Sequence, residues 1–281
     1  MTFDEPVRLS DGSVMSHIPF WNRNISRLVA AYPFRRAQTR LRAITSPWLV
    51  AQIQSGVWLR VSGVVEAEWG FLARKRKEEK TAQFVRSFLK PGMTFVDVGA
   101  NIGYFTLLAA QLVGSQGRIV AYEPTPVVAA RLRENILLNG FEQVIAVEAA
   151  VCEEVGTAHL HQSADDPEAN SLFDETAHSL EVSVTSLDTD LKCRGIKKID
   201  LLKIDAEGAE TLVLRGATAF LDAPDPPVII IEINPVTLAP AGSSVPEILD
   251  LLASHRYSFA ELETFAYQGE IVANYVAHRS S

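Results

Sequence analysis

From Met93 onward, apolar runs of strand length alternate with stretches of helical period, and few folds satisfy that rhythm. The runs are "TFVDVG" (94–99), "RIVAYEP" (118–124), "VIAVEAA" (144–150), "IDLLKIDAEG" (199–208) and "PVIIIEINP" (227–235). The spacing predicts helices over 103–113, 126–139, about 207–221 and about 245–254. Near-continuous apolar strands separated by helices signal a mostly parallel sheet covered on both faces, an α/β doubly wound, Rossmann-like domain. At the end, "YSFAELE" (257–263) and "EIVANYVAH" (270–278) alternate as strands and predict an antiparallel C-terminal hairpin. Residues 152–198 interrupt the rhythm and read as a hairpin-like insertion followed by a short helix.

The first ninety residues follow another pattern. "ISRLVAAYPFRRAQTRLRAI" (25–44) reads as amphipathic helix broken by Pro33, "VWLRVSG" (57–63) as a short strand, and 71–89 as a charged helix stopped by Pro91-Gly92. We therefore expect a mainly helical extension over 1–90, serving as lid or interface, ahead of a Rossmann-like domain over 91–281. The extension holds 15 Lys/Arg against 7 Asp/Glu, and the remainder 11 against 27. A basic segment packed on an acidic domain explains that split, and it could also guide an anionic acceptor. Nucleic acid is not expected, because Glu78 and Glu79 half neutralise the densest cluster, "ARKRKEEK". Cys152 and Cys193 form no CxxC, which points to a reducing compartment. The polar N-terminus and the lack of an apolar run of about 20 residues predict a soluble, cytoplasmic protein without a membrane partner. Trp21, Trp48, Trp58 and Trp69 are expected to cover the sheet, with a homo-oligomer contact as their other use.

Within "VDVGANIGY" a strand ends in Gly99 and Gly103, with Asn101 between them. A strand that turns directly into a helix exposes backbone N–H groups, and a ligand approaches them where side chains are absent. Asparagine tolerates a left-handed backbone best among the non-glycine residues, so Asn101 can replace a glycine in the turn. The nicotinamide pattern GxGxxG would need glycines at 101 and 104, where Asn101 and Tyr104 stand. A dinucleotide therefore fits badly, and a nucleoside carrying an amino acid fits better. Asp97 is placed to meet a ligand ammonium, and Glu123, ending the next strand, to accept from ribose hydroxyls.

The pattern "DVGANIGYFT…YEP…N…LN" resembles class I S-adenosylmethionine-dependent methyltransferases. "SLDTDL…IDLLKIDAEGAETLVLRGA…IIIEINP" is similar to the FkbM-type methyltransferases in particular. The resemblance spans about Leu89 to Pro235. It implies S-adenosyl-L-methionine as cofactor, held by Asp97, Gly99, Asn101, Gly103 and Glu123, with Ala100, Tyr104 and Pro124 beside them. Ala149 and Ala150 would flank the adenine, where many class I enzymes carry an acid. It also implies O-methylation of a hydroxyl on a sugar, polyketide or related secondary metabolite, small or carrier-bound.

"KIDAEGAE" places Lys203, Asp205, Glu207 and Glu210 at and past the fourth strand, with Glu232 ending the fifth. Ligands of open α/β sheets bind beyond the carboxyl ends of the strands. Asp205 is the first choice for the base that takes the hydroxyl proton, Glu232 the second, and Glu207 a further candidate. Glu207 also reads as a helix-opening acid, Glu210 as a solvated helix residue, and Lys203 as a partner for a nearby acid. Carboxylates at strand ends suit hard cations, but a required Mg²⁺ is not expected. His159 and His161 share a strand face, and two ligands do not make a metal site. Two other readings stand beside the leading one: a catalytically silent cofactor-binding module, and a nicotinamide-dependent oxidoreductase.

Overall fold

The computed structural model describes residues 7–8, 14–15, 48–62, 78–162, 170–172 and 179–279. The expected helical segment at 25–44 and residues 71–77 of the charged helix lie outside these. Seven strands build the central sheet: β5 (Thr94–Val98), β6 (Arg118–Tyr122), β7 (Val144–Val147), β12 (Leu201–Ile204), β13 (Val228–Ile233), β14 (Tyr257–Tyr267) and β15 (Glu270–Arg279). Their order is β14-β15-β13-β12-β5-β6-β7. The five strands from β13 to β7 are mutually parallel, and the C-terminal hairpin joins antiparallel to β13. From β5 the chain runs outward to β6 and β7, then returns to β12 on the other side. The sheet order thus reverses between β5 and β12, where a crevice opens past the carboxyl ends. The Rossmann-like fold is present, hairpin included.

Strand alternation divides the core in two. Val96, Val98, Val120, Tyr122, Leu202, Ile204, Ile229 and Ile231 face one side, under α4 (Leu187–Cys193), α5 (Glu210–Arg215), α6 (Thr218–Leu221) and α8 (Val245–Ser254). Phe95, Ile119, Leu201 and Ile230 face the other, against α1 (Glu79–Phe88) and α2 (Tyr104–Val113). Each such side chain, fully buried, contributes roughly 1.5–3 kcal/mol. That floor fixes the strand ends, which carry the polar groups.

A hairpin of β3 (Trp48–Gln54) and β4 (Val57–Ser62) lies on the second face. Two asparagines of α3 (Pro126–Asn139) hold it by imitating a neighbouring strand. Asn135 Oδ1 accepts from Arg60 N at 2.8 Å, and its Nδ2 donates to the carbonyls of Arg60 and Ile102. Asn139 repeats the pattern on Trp58 N and O. These are the "N…LN" asparagines of the sequence pattern; they hold backbone.

The insertion forms a second sheet in the order β10-β9-β11-β8, from β8 (Ala150–Val151), β9 (Gly156–Gln162), β10 (Asn170–Ser171) and β11 (Ser179–Thr185). Near the chain start, β1 (Val7–Arg8) pairs with β2 (Val14–Met15). The single run expected at 144–150 is cut at Glu148-Ala149, where the chain passes from one sheet to the other. After β13, α7 (Pro235–Leu238) caps the strand end. Among the described residues no helix is long and apolar enough to cross a membrane.

Candidate active site

The glycine turn closes on the neighbouring strand: Gly99 N and Ala100 N both donate to the Tyr122 carbonyl, at 3.0 and 2.9 Å. Asn101 adopts the left-handed backbone expected of it, with φ 51°, and its Oδ1 accepts from Ile102 N at 2.6 Å. Gly99 and Gly103 are needed for packing as much as for ligand approach. A Cβ on Gly99 would meet the Asp205 carbonyl, and one on Gly103 would meet Leu132. Glu123 ties the turn to the next helix, accepting from Asn101 N at 3.1 Å and Thr125 N at 2.9 Å. Burial raises its pKa against those two donors.

The second turn, Asp205 to Gly208, departs from expectation. The helix placed at 207–221 starts only at Glu210, because Glu207 (φ 48°) and Gly208 (φ 104°) are left-handed, and it is interrupted at Gly216-Ala217. Glu210, read from sequence as solvated, is only 2% exposed. Its carboxylate accepts from Ala206 N at 3.0 Å and Gly208 N at 3.1 Å, locking the turn that carries Asp205 and Glu207. Burial pushes its pKa up to about 7 in spite of those donors. Glu210→Ala leaves two backbone donors unpaired, so urea unfolding should show a loss of about 2–4 kcal/mol.

Along the second face the strand ends carry charge in register. Asp97 lies beside Lys203, and Glu232 beside Asn274, which lies beside Glu263. A β-bulge at Leu262 sets Glu263 opposite Asn274, where simple alternation would put the leucine. Lys203 is 3% exposed, donates to Asp205 Oδ2 at 2.9 Å and sits 4.9 Å from the Phe105 ring centre. Burial alone would lower its pKa, but Asp205, Glu78 and Asp97 outweigh that and raise it. Glu78, just before α1, completes the group: oxygens of Glu78, Asp205 and Glu232 all lie within 4.8 Å of one another. That spacing is open to a hard cation, although the Lys203 ammonium already stands against Asp205.

Burial, then Asp205 and Glu263, push Glu78 up to about 7 against the pull of Lys203. Glu232 is raised well above the usual carboxylate range by burial, then by Asp205 and Glu78. Sequence reasoning missed Glu78 as a site residue. Nothing in "RKRKEEK" separates it from Glu79, which is also charged and adjacent.

Between the two turns lies a crevice partly open to solvent. Gly99, Asn101, Glu123, Pro124, Ala149, Ala150, Asp205 and Glu207 line it, joined by Leu160 and Leu172 from the insertion. Ala100, Gly103 and Tyr104 stand behind the turn in the core, and Glu232 stands behind Asp205. Asp97 is 1% exposed; its Oδ2 accepts from Thr106 Oγ1 at 2.6 Å, while Oδ1 has no partner. Burial raises its pKa. A buried carboxylate oxygen left unpaired suits a ligand ammonium. Among the described residues lining the crevice, three are acids and none is Lys or Arg. That wall opposes a pyrophosphate and accepts a cationic nucleoside.

Residues 97–259 match the family model described as the methyltransferase FkbM domain. The chain is 27% identical over 225 residues to the 31-O-demethyl-FK506 methyltransferase FkbM of Streptomyces tacrolimicus, covering 69% of this chain and 83% of that protein. It is 28% identical over 156 residues to the 2-O-methyltransferase NoeI of Sinorhizobium fredii, covering 50% of this chain and 63% of the relative. A solved methyltransferase FkbM from Methylobacillus flagellatus overlays 70% of this chain and 50% of its own, with TM-score 0.44 and 14% identity.

Proposed function

Because the chain belongs to the FkbM methyltransferase family, and so depends on S-adenosylmethionine, we propose that it methylates a hydroxyl group of a sugar, polyketide or related secondary metabolite. The observation that carries the cofactor side is the crevice wall, with Glu123, Asp205 and Glu207 on it and no basic side chain among its described residues. Glu123 takes the ribose hydroxyls, Asp97 behind the crevice wall meets the ammonium through a water, and the backbone at Ala149 and Ala150 flanks the adenine, under Leu160 and Leu172. When bound, S-adenosylmethionine supplies a methyl carbon on a sulfonium that leaves as a neutral thioether.

The residues of this chain align the acceptor and remove its proton. Among the described residues Asp205 is the one carboxylate that both lines the crevice and belongs to the charge cluster. It orients the hydroxyl and takes its proton, with Lys203 fixing the rotamer and Glu232 behind it. Alignment is worth about 7–11 kcal/mol of barrier, and base assistance roughly 10²–10⁴-fold. The names of two relatives, one a 31-O-demethyl-FK506 methyltransferase and one a 2-O-methyltransferase, support hydroxyl acceptors.

Two measurements test the reading. S-adenosylhomocysteine should raise the melting temperature where NAD does not; stabilisation by NAD alone would favour the oxidoreductase. A screen of hydroxylated sugars and macrolides for S-adenosylhomocysteine release should then find an acceptor. On it Asp205→Asn should lose about 10²–10⁴-fold in kcat, with cofactor affinity changed far less. Full activity in that variant would remove Asp205 from the role.

A further inference from the structure

Among the described residues, the charge around the crevice is one-sided beyond what holding a nucleoside requires. Glu123, Asp205 and Glu207 line it, and Asp97, Glu78, Glu232 and Glu263 stand close behind Asp205. Of the described residues, Lys203 is the one ammonium set among them, already donating to Asp205 and facing Glu78 and Asp97. The unpaired Asp97 oxygen and the fully enclosed, unpaired Glu78 Oε1 show that protein donors do not use up this acceptor capacity. Among the described residues, carboxylates outnumber cations in and behind the crevice wall.

Donor and product differ by one methyl group and one positive charge. S-adenosylmethionine carries an ammonium, a carboxylate and a sulfonium, net +1; S-adenosylhomocysteine lacks the sulfonium charge and is net zero. An uncharged wall of the same shape would hold both about equally. We propose that Asp205 and Glu207 on the crevice wall, backed by Glu78, Asp97 and Glu232 behind it, make the site select the sulfonium donor over its thioether product. Loss of the charge on transfer then loosens the product and limits its inhibition. This rests on the cofactor reading above and adds to it an order of affinities.

A net unit of negative charge at the range and effective dielectric of a half-buried site is worth tenfold or more in affinity. The preference is proton-sensitive, with a definite sign. Glu78 faces Lys203, Asp205, Glu263 and Asn274; Glu232 faces Asp205, Glu78, Lys203 and Glu207. Glu78 is pushed up to about 7 and Glu232 is raised in the same direction, so both take up protons more readily than ordinary carboxylates as pH falls. Protons and the sulfonium compete for the same wall. Donor affinity weakens as pH falls, and product affinity stays level.

Isothermal titration of the full chain with S-adenosylmethionine and with S-adenosylhomocysteine, at pH 8 and pH 6, tests this without any acceptor. We expect the donor to bind at least tenfold more tightly at pH 8, and threefold or less at pH 6. Glu78→Gln should narrow the pH 8 gap while leaving product affinity within about twofold. Product binding equal to or tighter than donor binding at pH 8 overturns the proposal, as does a gap that ignores pH in the wild-type chain. If neither nucleoside binds, the cofactor reading itself fails, an outcome distinct from equal binding of the two.

Discussion

Gly99→Ala is expected to lose at least about 4 kcal/mol of stability, and with it all measurable binding of S-adenosylhomocysteine. The new Cβ would stand 1.7 Å from the Asp205 carbonyl oxygen and 2.8 Å from its carbon, both backbone atoms. Neither can yield without parting β12 from β5, because Asp205 N donates to Val98 O at 3.0 Å beside the clash. The backbone at Gly99 is left-handed as well, with φ 75°, which adds about 1–2 kcal/mol for any side chain. Gly92→Ala is the matching control. Gly92 has φ 87° and nothing within 4 Å of an added Cβ, so it should incur the left-handed penalty alone. Urea unfolding of the two variants separates strain from collision. Losses within 1 kcal/mol of each other would mean that the two turns are not tightly crossed.

Lys203→Met should be nearly as severe, about 3–5 kcal/mol at pH 8, because it strips the buried cation from Asp205, Glu78 and Asp97. The loss should fall to roughly half at pH 6. The sign follows from the direction of the carboxylate shifts. Glu78, at about 7, and Glu232, raised in the same direction, have folded pKa values above their unfolded ones, so between the ordinary carboxylate range and those raised values the folded state holds more protons than the unfolded chain. Acid therefore relieves the repulsion, and relieves it more once the ammonium is gone. Denaturant melts of wild type and variant at both pH values measure it. A loss equal at pH 6 and pH 8 would show that the cluster is not ionised as described.

Much of the fold was legible because local signals agreed with global ones. Pro126 opens α3 and Gly140, with φ 64°, ends it; Ser244 caps α8 by accepting from Glu247 N. Both helices run where periodicity put them. The helix expected at 207–221 starts late because Glu207 takes a left-handed backbone beside the left-handed Gly208, and a glutamate rarely signals such a turn. The crevice-lining positions of Asn101, Glu123 and Asp205 could be read from their places at strand ends. Glu78, Glu210 and Glu263 could not. Each is an acid in ordinary charged sequence, and the contacts of Glu263 come from residues more than 180 positions away. A bulge at Leu262 defeats the alternation rule that would have hidden Glu263 on the outside.

The helix α1 lacks a cap of its own. Its first free N–H groups, on Lys80 and Thr81, are received by Glu263, 183 and 182 residues further along. During translation, at about 5–20 residues per second, that helical turn must wait many seconds for its acceptor to leave the ribosome. Glu78, at the head of the same helix, reaches its place behind Asp205 only when the last hairpin docks. A nascent chain halted before β14 would carry the glycine turn yet leave that edge of the catalytic chamber unbuilt.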